Sequence, residues 1–459
     1  MNRFSQTVLS LRWLSLLQIF LGCLMVNQFF SQWGLGHFGA EGFAGYARLL
    51  ANTGNISDLA RAMLNAMADN AAFFGFASAV FLAVTGVALM LLVLRSIMSI
   101  LVSLFFFVIW YVTSNTSGIW TFEYLFPALF ALIVGLATLP QFIGSSGRDK
   151  WLGARVRGSI SIAAWSVLSV IIAGVLTWFF IMSRGGGQTD YLPVALASGA
   201  VILALLIATG LTDEDRQARP PKPEGPMVRI AAFPWVDLMI IIVGAMVCIQ
   251  IFADIQVNWF TIEGYQGLIR GYADTTGAPT WWAAFLYFAA DNAAIIMPLQ
   301  MVLEFSCAFF LVTLLLRPLA LLATTVFFGT LMMSEFGTPV GHIANQRDWE
   351  WELLFVTGTI FALGVMTLAE AMRQSSWRAL LLGDRFYTIA MPWRLVWAAI
   401  GAGLLWLVGI QTKMFGSGYE TISLRGSLFF FAALVVMAII DQWRRPVSTE
   451  ARLDRTWVT

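Results

Sequence analysis

Apolar residues in this chain come in long blocks separated by short charged or Gly/Pro-containing breaks. Blocks near 10–30, 72–94, 97–115, 121–140, 160–182 and 192–211 are followed by a second set near 235–253, 294–316, 317–334, 351–371, 393–412 and 426–440. Each approaches the roughly 20 residues that a helix needs to cross a hydrocarbon core about 30 Å thick. The pattern predicts an all-α polytopic membrane protein with about twelve transmembrane helices in two sets of six. Turns at Arg95 and at Arg317-Pro318 join consecutive helices with almost no loop. The first external loop of each set carries apolar positions at helical spacing over 42–52 and 57–67, and over 264–274 and 279–290. Ser57 and Pro279 suit helix starts, so paired amphipathic helices are expected to lie on the outer membrane surface as lids.

The two sets resemble each other in detail. Sliding the chain by 222 residues superposes 11–95 on 233–317 without a gap, and 25 of the 85 positions are identical. Apolar composition alone does not produce the polar and glycine matches Trp13/Trp235, Gly22/Gly244, Gln28/Gln250, Glu41/Glu263, Arg48/Arg270, Asp69-Asn70/Asp291-Asn292 and Arg95/Arg317. A seven-residue insertion then moves the offset to 229, pairing Trp120/Trp349 and Glu123/Glu352, and later to 230, pairing Arg155/Arg385. An even number of spans per unit makes the units parallel, related by a pseudo-twofold axis along the membrane normal. The expected organisation is a six-helix unit over 1–211, a charged and Pro-rich cytoplasmic linker over 212–229, and a second six-helix unit with a short tail over 230–459.

Charge sets the orientation. With the N-terminus inside, 20 of the 27 Lys and Arg residues fall in cytoplasmic segments, which predicts a bacterial-type inner membrane protein with both termini cytoplasmic. The 459 residues are 59% hydrophobic and only 12% charged, half the share of a soluble domain, and the net charge is +1. These values exclude a nucleic-acid partner and leave the lipid bilayer as the main one. Two His and three Cys are too few for paired haems or an iron–sulfur cluster. No metal site is expected, and Gly185–187 and Gly416–418 lack the strand and helix context of a nucleotide loop.

A few polar residues then stand out. Glu304 lies eleven residues into its span, where a carboxylate costs about 3 kcal/mol. It reads either as a proton relay facing a quinone carbonyl or substrate, or as a protonated group bonded to a neighbouring helix. Glu123 and Glu352 stand three residues after Trp120 and Trp349, which suits either a site at the outer boundary or carboxylates facing a helix dipole beneath an aromatic belt. Asp69-Asn70 and Asp291-Asn292 precede helices and read as N-caps. Glu41 with Arg48 and Glu263 with Arg270 are expected to pair within the loop, the alternative being an oxoanion on either arginine. His342, in the inserted loop beside Trp349–Glu352, reads as a proton carrier or an ordinary loop histidine.

On these residues the units resemble the DoxX/DoxD-like membrane family. The shared features are a long external loop, the polar entry Asp291-Asn292, the mid-helix Glu304 and the Arg317 turn. The Trp349-Glu350-Trp351-Glu352 entry and the Gly383-Asp384-Arg385 exit complete them. The first unit keeps most of these but has Leu82 where the second has Glu304. The resemblance implies membrane redox chemistry, since the DoxD branch is associated with the membrane subunit of a thiosulfate:quinone oxidoreductase. It directs attention to the outer face of the second unit, with Glu304, Glu352 and His342 as catalytic candidates. Trp349, Asn292 and Arg270 are then the candidates for binding a quinone, the one cofactor implied. A small-solute or anion transporter, and a structural subunit docking a partner in a larger membrane complex, are the competing expectations.

Overall fold

The structure is a computed structural model that describes residues 3–10, 13–34, 36–52, 58–90, 92–113, 122–144, 230, 233–256, 258–276, 280–335, 351–374, 436 and 440. The expected spans near 160–182, 192–211 and 393–412, nearly all of 426–440 and the linker lie outside the described residues. Among the described residues every regular element is a helix. In order these are α1 (Arg3–Ser10), α2 (Trp13–Gly34), α3 (Ala40–Ala51), α4 (Asp58–Asp69), α5 (Ala71–Met90), α6 (Arg95–Thr113) and α7 (Phe122–Gly144). They are followed by α8 (Trp235–Gln256), α9 (Ile262–Thr275), α10 (Thr280–Asp291), α11 (Ala293–Thr313), α12 (Arg317–Glu335) and α13 (Trp351–Gln374). The starts of α2 through α6 and of α8 through α12 are 222 residues apart pair by pair, and those of α7 and α13 are 229 apart.

Five of these helices, α5, α6, α11, α12 and α13, are long and apolar enough to cross a membrane, and α2, α7 and α8 hold shorter apolar runs. A lipid environment also explains which large side chains stay uncovered. Phe73, Phe76, Val80 and Val84 of α5, and Ile295, Leu299, Val302 and Phe309 of α11, form exposed apolar stripes at helical spacing.

The chain divides into two compact units, one containing Ser10–Ser117 and the other Pro234–Pro446. In the first, α2 packs on α5, α6 on α7, and α3 on α4. In the second, α8 packs on α11, α12 on α13, and α9 on α10, with α9 and α10 also resting on α11 and α12. Glycine permits the closest of these approaches. A Cβ on Gly22 would stand 2.8 Å from the carbonyl oxygen of Gly86, and one on Gly244 would stand 2.8 Å from the backbone nitrogen of Val312. In lipid, where helices gain little from hiding apolar surface, such close backbone packing is a main source of association.

Tight reversals set the ends of the spans. Leu92 and Leu94 before α6, and Leu314 and Leu316 before α12, all adopt left-handed backbone, with φ of 56°, 48°, 58° and 45°. That conformation costs a non-glycine residue about 1 kcal/mol or more. It is held because the turn must reverse a spanning helix within a few residues. Leaving α2, Gly36 takes φ 72°, and leaving α8, Asn258 takes φ 60°, each a residue type that tolerates the region.

Candidate functional site

The second unit buries two acids against each other. Asp254 lies in the last turn of α8 and Glu304 midway along α11, and they are 4% and 1% exposed. Each is oriented from its own helix by an amide four residues earlier, the spacing that places two side chains on one face. Gln250 Nε2 donates to Asp254 Oδ1 at 2.9 Å, and Gln300 Nε2 donates to Glu304 Oε1 at 2.8 Å. The two carboxyl groups then meet side chain to side chain across the α8–α11 interface. Their remaining oxygens, Asp254 Oδ2 and Glu304 Oε2, are buried and meet no donor, because two facing carboxylates are both acceptors. A single proton shared between them would supply the missing donor and remove one of two charges that apolar surroundings cannot solvate.

A roof of α9 and α10 rests on α11, the helix that carries Glu304, and on α12. Tyr265, Trp259 and Trp282 belong to one buried cluster with Met297, two turns above Glu304 on α11. The rings of Trp259 and Tyr265 meet edge to face at 5.2 Å. Burial, and secondarily the nearby charge of Glu304, pushes the Tyr265 phenol up to about 12, so its hydroxyl keeps its proton at neutral pH. The indole N–H groups of Trp259 and Trp282 are buried with no acceptor. Thr261 caps α9 by accepting from the Gly264 N–H at 3.1 Å. Tyr272 donates to Glu335 Oε1 at 2.9 Å and Thr276 donates to the Met333 carbonyl at 3.0 Å, which ties the roof to the end of α12.

At the corresponding positions of the first unit, 222 residues earlier, this chemistry is replaced. Asp254 corresponds to Gln32, Glu304 to Leu82, Tyr265 to Phe43, Trp259 to His37 and Trp282 to Ala60. Gln32 Oε1 accepts from His37 Nδ1 at 2.6 Å, and the His37 ring stacks on Tyr46 at 4.6 Å. Burial holds His37 below the usual histidine range.

The residues singled out from sequence fall in different places. Glu304 is in the acid pair. Glu352 is buried in the first turn of α13. His342 and Trp349 lie outside the described residues, as does the side chain of Glu123. Arg270 reaches the α10–α11 junction that Asn292 occupies, where its Nη2 stands 2.8 Å from Asp291 Oδ1. Asn292 is twelve residues from Glu304, about 18 Å along α11, so that junction and the acid pair are separate.

Two local expectations are corrected. Arg48 and Arg270 pair with Asp69 and Asp291, at 3.7 and 2.8 Å, rather than with Glu41 and Glu263 two turns earlier on the same helix face. The hairpin between the two roof helices brings the end of the second beside the arginine of the first. Asn70 and Asn292 do not cap the helices they precede through their side chains. Their Nδ2 groups instead donate back to the carbonyls of Ala66 and Phe288, at 2.9 and 2.8 Å, satisfying the last turns of α4 and α10.

Sequence reading missed Asp254, Gln250, Gln300, Tyr265, Trp259 and Trp282. The available signal was the pair of Gln-to-acid spacings 250/254 and 300/304, which repeats one polar device on two packed helices.

At the other end of α8, Arg317 Nη1 at the start of α12 stands 3.2 Å from Asp237 Oδ1, with both side chains largely covered. Asp237 and Asp254 are seventeen residues apart, roughly 25 Å along α8, so the ion pair marks the opposite end of the bundle.

No family model, curated protein or solved structure matches the chain.

Proposed function

We propose that this chain is a DoxX-like inner membrane protein of two parallel six-helix units, with both termini cytoplasmic, acting as a quinone-linked oxidoreductase or as the membrane subunit of one. The observation that supports this reading most is the Asp254–Glu304 pair, an acid couple built to hold and release a proton within a membrane-spanning unit. Reducing a quinone to a quinol takes up two electrons and two protons, and oxidising two thiosulfates to tetrathionate releases the two electrons. The chain's own contribution is the protonation step. Glu304, held by Gln300, passes its proton toward the acceptor, and the facing carboxylate of Asp254, held by Gln250, disfavours a second negative charge beside it and so draws a replacement proton back to the pair before the second transfer.

The test is quinone reduction by the purified full-length protein in nanodiscs, with thiosulfate as donor and a short-chain ubiquinone as acceptor. Activity that falls about 100-fold or more in Glu304→Gln supports the reading. Absence of activity in the wild-type protein and in any assembly that co-purifies with it overturns it. Proton-coupled uptake of a solute, lost in the same variant, would place the pair in a transporter instead.

A further inference from the structure

Among the roof helices α10 is the one without a charged face. Between Thr280 and Asp291 it carries no charged residue, whereas α3, α4 and α9 each hold an arginine and at least one acid. One side of α10 is enclosed by protein, with Trp282, Leu286, Ala289 and Ala290 in the buried cluster around Met297. The other side presents Trp281, Phe285 and Phe288 uncovered, Trp281 being 63% and Phe288 58% exposed. The polar atom beside them is satisfied, since the Tyr287 hydroxyl donates to Asp274 Oδ1 across the hairpin. A helix that is apolar all round is normally enclosed on every side, by protein or by lipid.

The uncovered face runs on into the exposed stripe of α11. Helical hydrogen bonds pass through the junction, where the Asn292 N–H donates to the Phe288 carbonyl at 3.1 Å and the Ile296 N–H to the Asn292 carbonyl at 3.0 Å. Trp281, Phe288, Ile295, Val302 and Phe309 follow one another at seven-residue intervals, and all are exposed. Residues two helical turns apart lie on one face, so these side chains form a single apolar row across both helices. The first unit keeps the stripe on its spanning helix, with Phe73 and Val80 exposed on α5. It lacks the extension. The positions of α4 that correspond to Trp281, Phe285, Tyr287 and Phe288 hold Leu59, Met63, Asn65 and Ala66.

We infer that α10 is a membrane-docking helix, whose Trp281, Phe285 and Phe288 sink into the lipid on the roof side of the bilayer, while α4 of the first unit stays in water. Lipid is the occupant because the row is continuous with the stripe of a membrane-spanning helix, and whatever solvates Ile295 and Val302 reaches Phe288 without a break. The rings also suit the boundary between headgroups and acyl chains, about 5–10 Å deep, where Trp and Tyr are enriched. Through its two faces the same helix then joins the bilayer to the buried cluster of the roof. This docking requires α11 to span the membrane and does not require a quinone.

The experiment uses the full-length protein in phosphatidylcholine vesicles, with a nitroxide label on one introduced cysteine at a time. The positions are Phe285→Cys and Phe288→Cys on α10, Leu59→Cys and Ala66→Cys on α4, and Leu299→Cys on α11 as the lipid reference. Identically treated wild-type protein accounts for any labelling of the three native thiols. Collisions with oxygen, which partitions into lipid, are compared with collisions with a water-soluble nickel chelate by electron paramagnetic resonance. At 285 and 288 oxygen should prevail and the chelate collisions should be lost, as at 299, and at 59 and 66 the order should reverse. Chelate collisions at 285 and 288 as frequent as at 59 and 66 would put α10 in water and overturn the docking. Exclusion of both relaxants from 285 and 288 overturns it too, in favour of a covering protein surface. Oxygen prevailing at 59 and 66 overturns the difference between the units. Should the cysteine variants not fold, quenching of Trp281 by phosphatidylcholine brominated near the headgroup, read as wild type minus Trp281→Phe, decides the same point: loss of that emission is expected, and its persistence contradicts the docking.

Discussion

Asp254 and Glu304 meet side chain to side chain between α8 and α11, and the residues 222 positions earlier are Gln32 and Leu82. The same helix frame thus carries an acid couple in one unit and an amide and an alkyl group in the other. That contrast isolates what the acids contribute from what the frame requires.

Stability should reveal the coupling. Glu304→Leu alone leaves Asp254 buried without its partner and is expected to destabilise the second unit by about 3 kcal/mol. Adding Asp254→Gln, which reproduces the residues of the first unit, should recover much of that loss. A double-mutant cycle on thermal unfolding in nanodiscs measures this, and strictly additive effects would mean the two groups do not interact.

His37 gives the first roof a pH response of known sign. Burial lowers its pKa in the folded state, so as pH falls through the ordinary histidine range the opened form takes up a proton before the closed form does. The contact with Gln32 and Tyr46 is therefore favoured above that range and weakened below it. Hydrogen exchange of residues 36–52, corrected for intrinsic rate, should show less protection at pH 5.5 than at pH 7.5. In His37→Phe that difference should vanish, and a difference that persists would assign it to another group.

Arg270 is held by Asp291 at an exposed junction, with the two side chains 54% and 63% accessible. An exposed pair of this kind contributes less than about 1 kcal/mol. Arg270→Ala is expected to change the melting temperature little and to leave the dependence on thiosulfate concentration unchanged. A large rise in KM would restore the arginine as an oxoanion ligand.

Gly244→Leu should separate α8 from α11 and abolish the acid pair together with the fold of the unit, because any side chain there meets the backbone of Val312. Gly244→Ala is the graded version, expected to cost about 1 to 3 kcal/mol. Gly267, whose Cβ would meet nothing within 4 Å, is the control, and its alanine variant should be close to neutral.

The helix frame was legible in sequence because length and apolar content decide what can cross lipid. The expected starts near 72, 97, 294 and 317 fall close to the observed Ala71, Arg95, Ala293 and Arg317. The roof helices were legible from their spacing, and their ends differ by two residues at most. Of the site, Glu304 was visible because an acid eleven residues inside an apolar span is costly wherever it points. Asp254 was not, since an acid at the last turn of a span reads as the place where the span meets water. In the fold it is buried, where the chain after α8 turns back so that the Trp259 N–H meets the Asp254 carbonyl, a tertiary contact that no periodicity encodes. The Arg–Asp pairs were misread for a related reason, because helix spacing reports neighbours along one helix and not across a hairpin.

The most direct test of the acid pair is infrared difference spectroscopy of the wild-type protein against Glu304→Gln and Asp254→Asn at neutral pH. A shared proton gives a carbonyl band of a protonated carboxyl in the wild-type protein that is lost or shifted in both variants. If both groups are ionised in the wild-type protein and neither variant alters that region of the spectrum, Asp254 and Glu304 do not hold a proton between them.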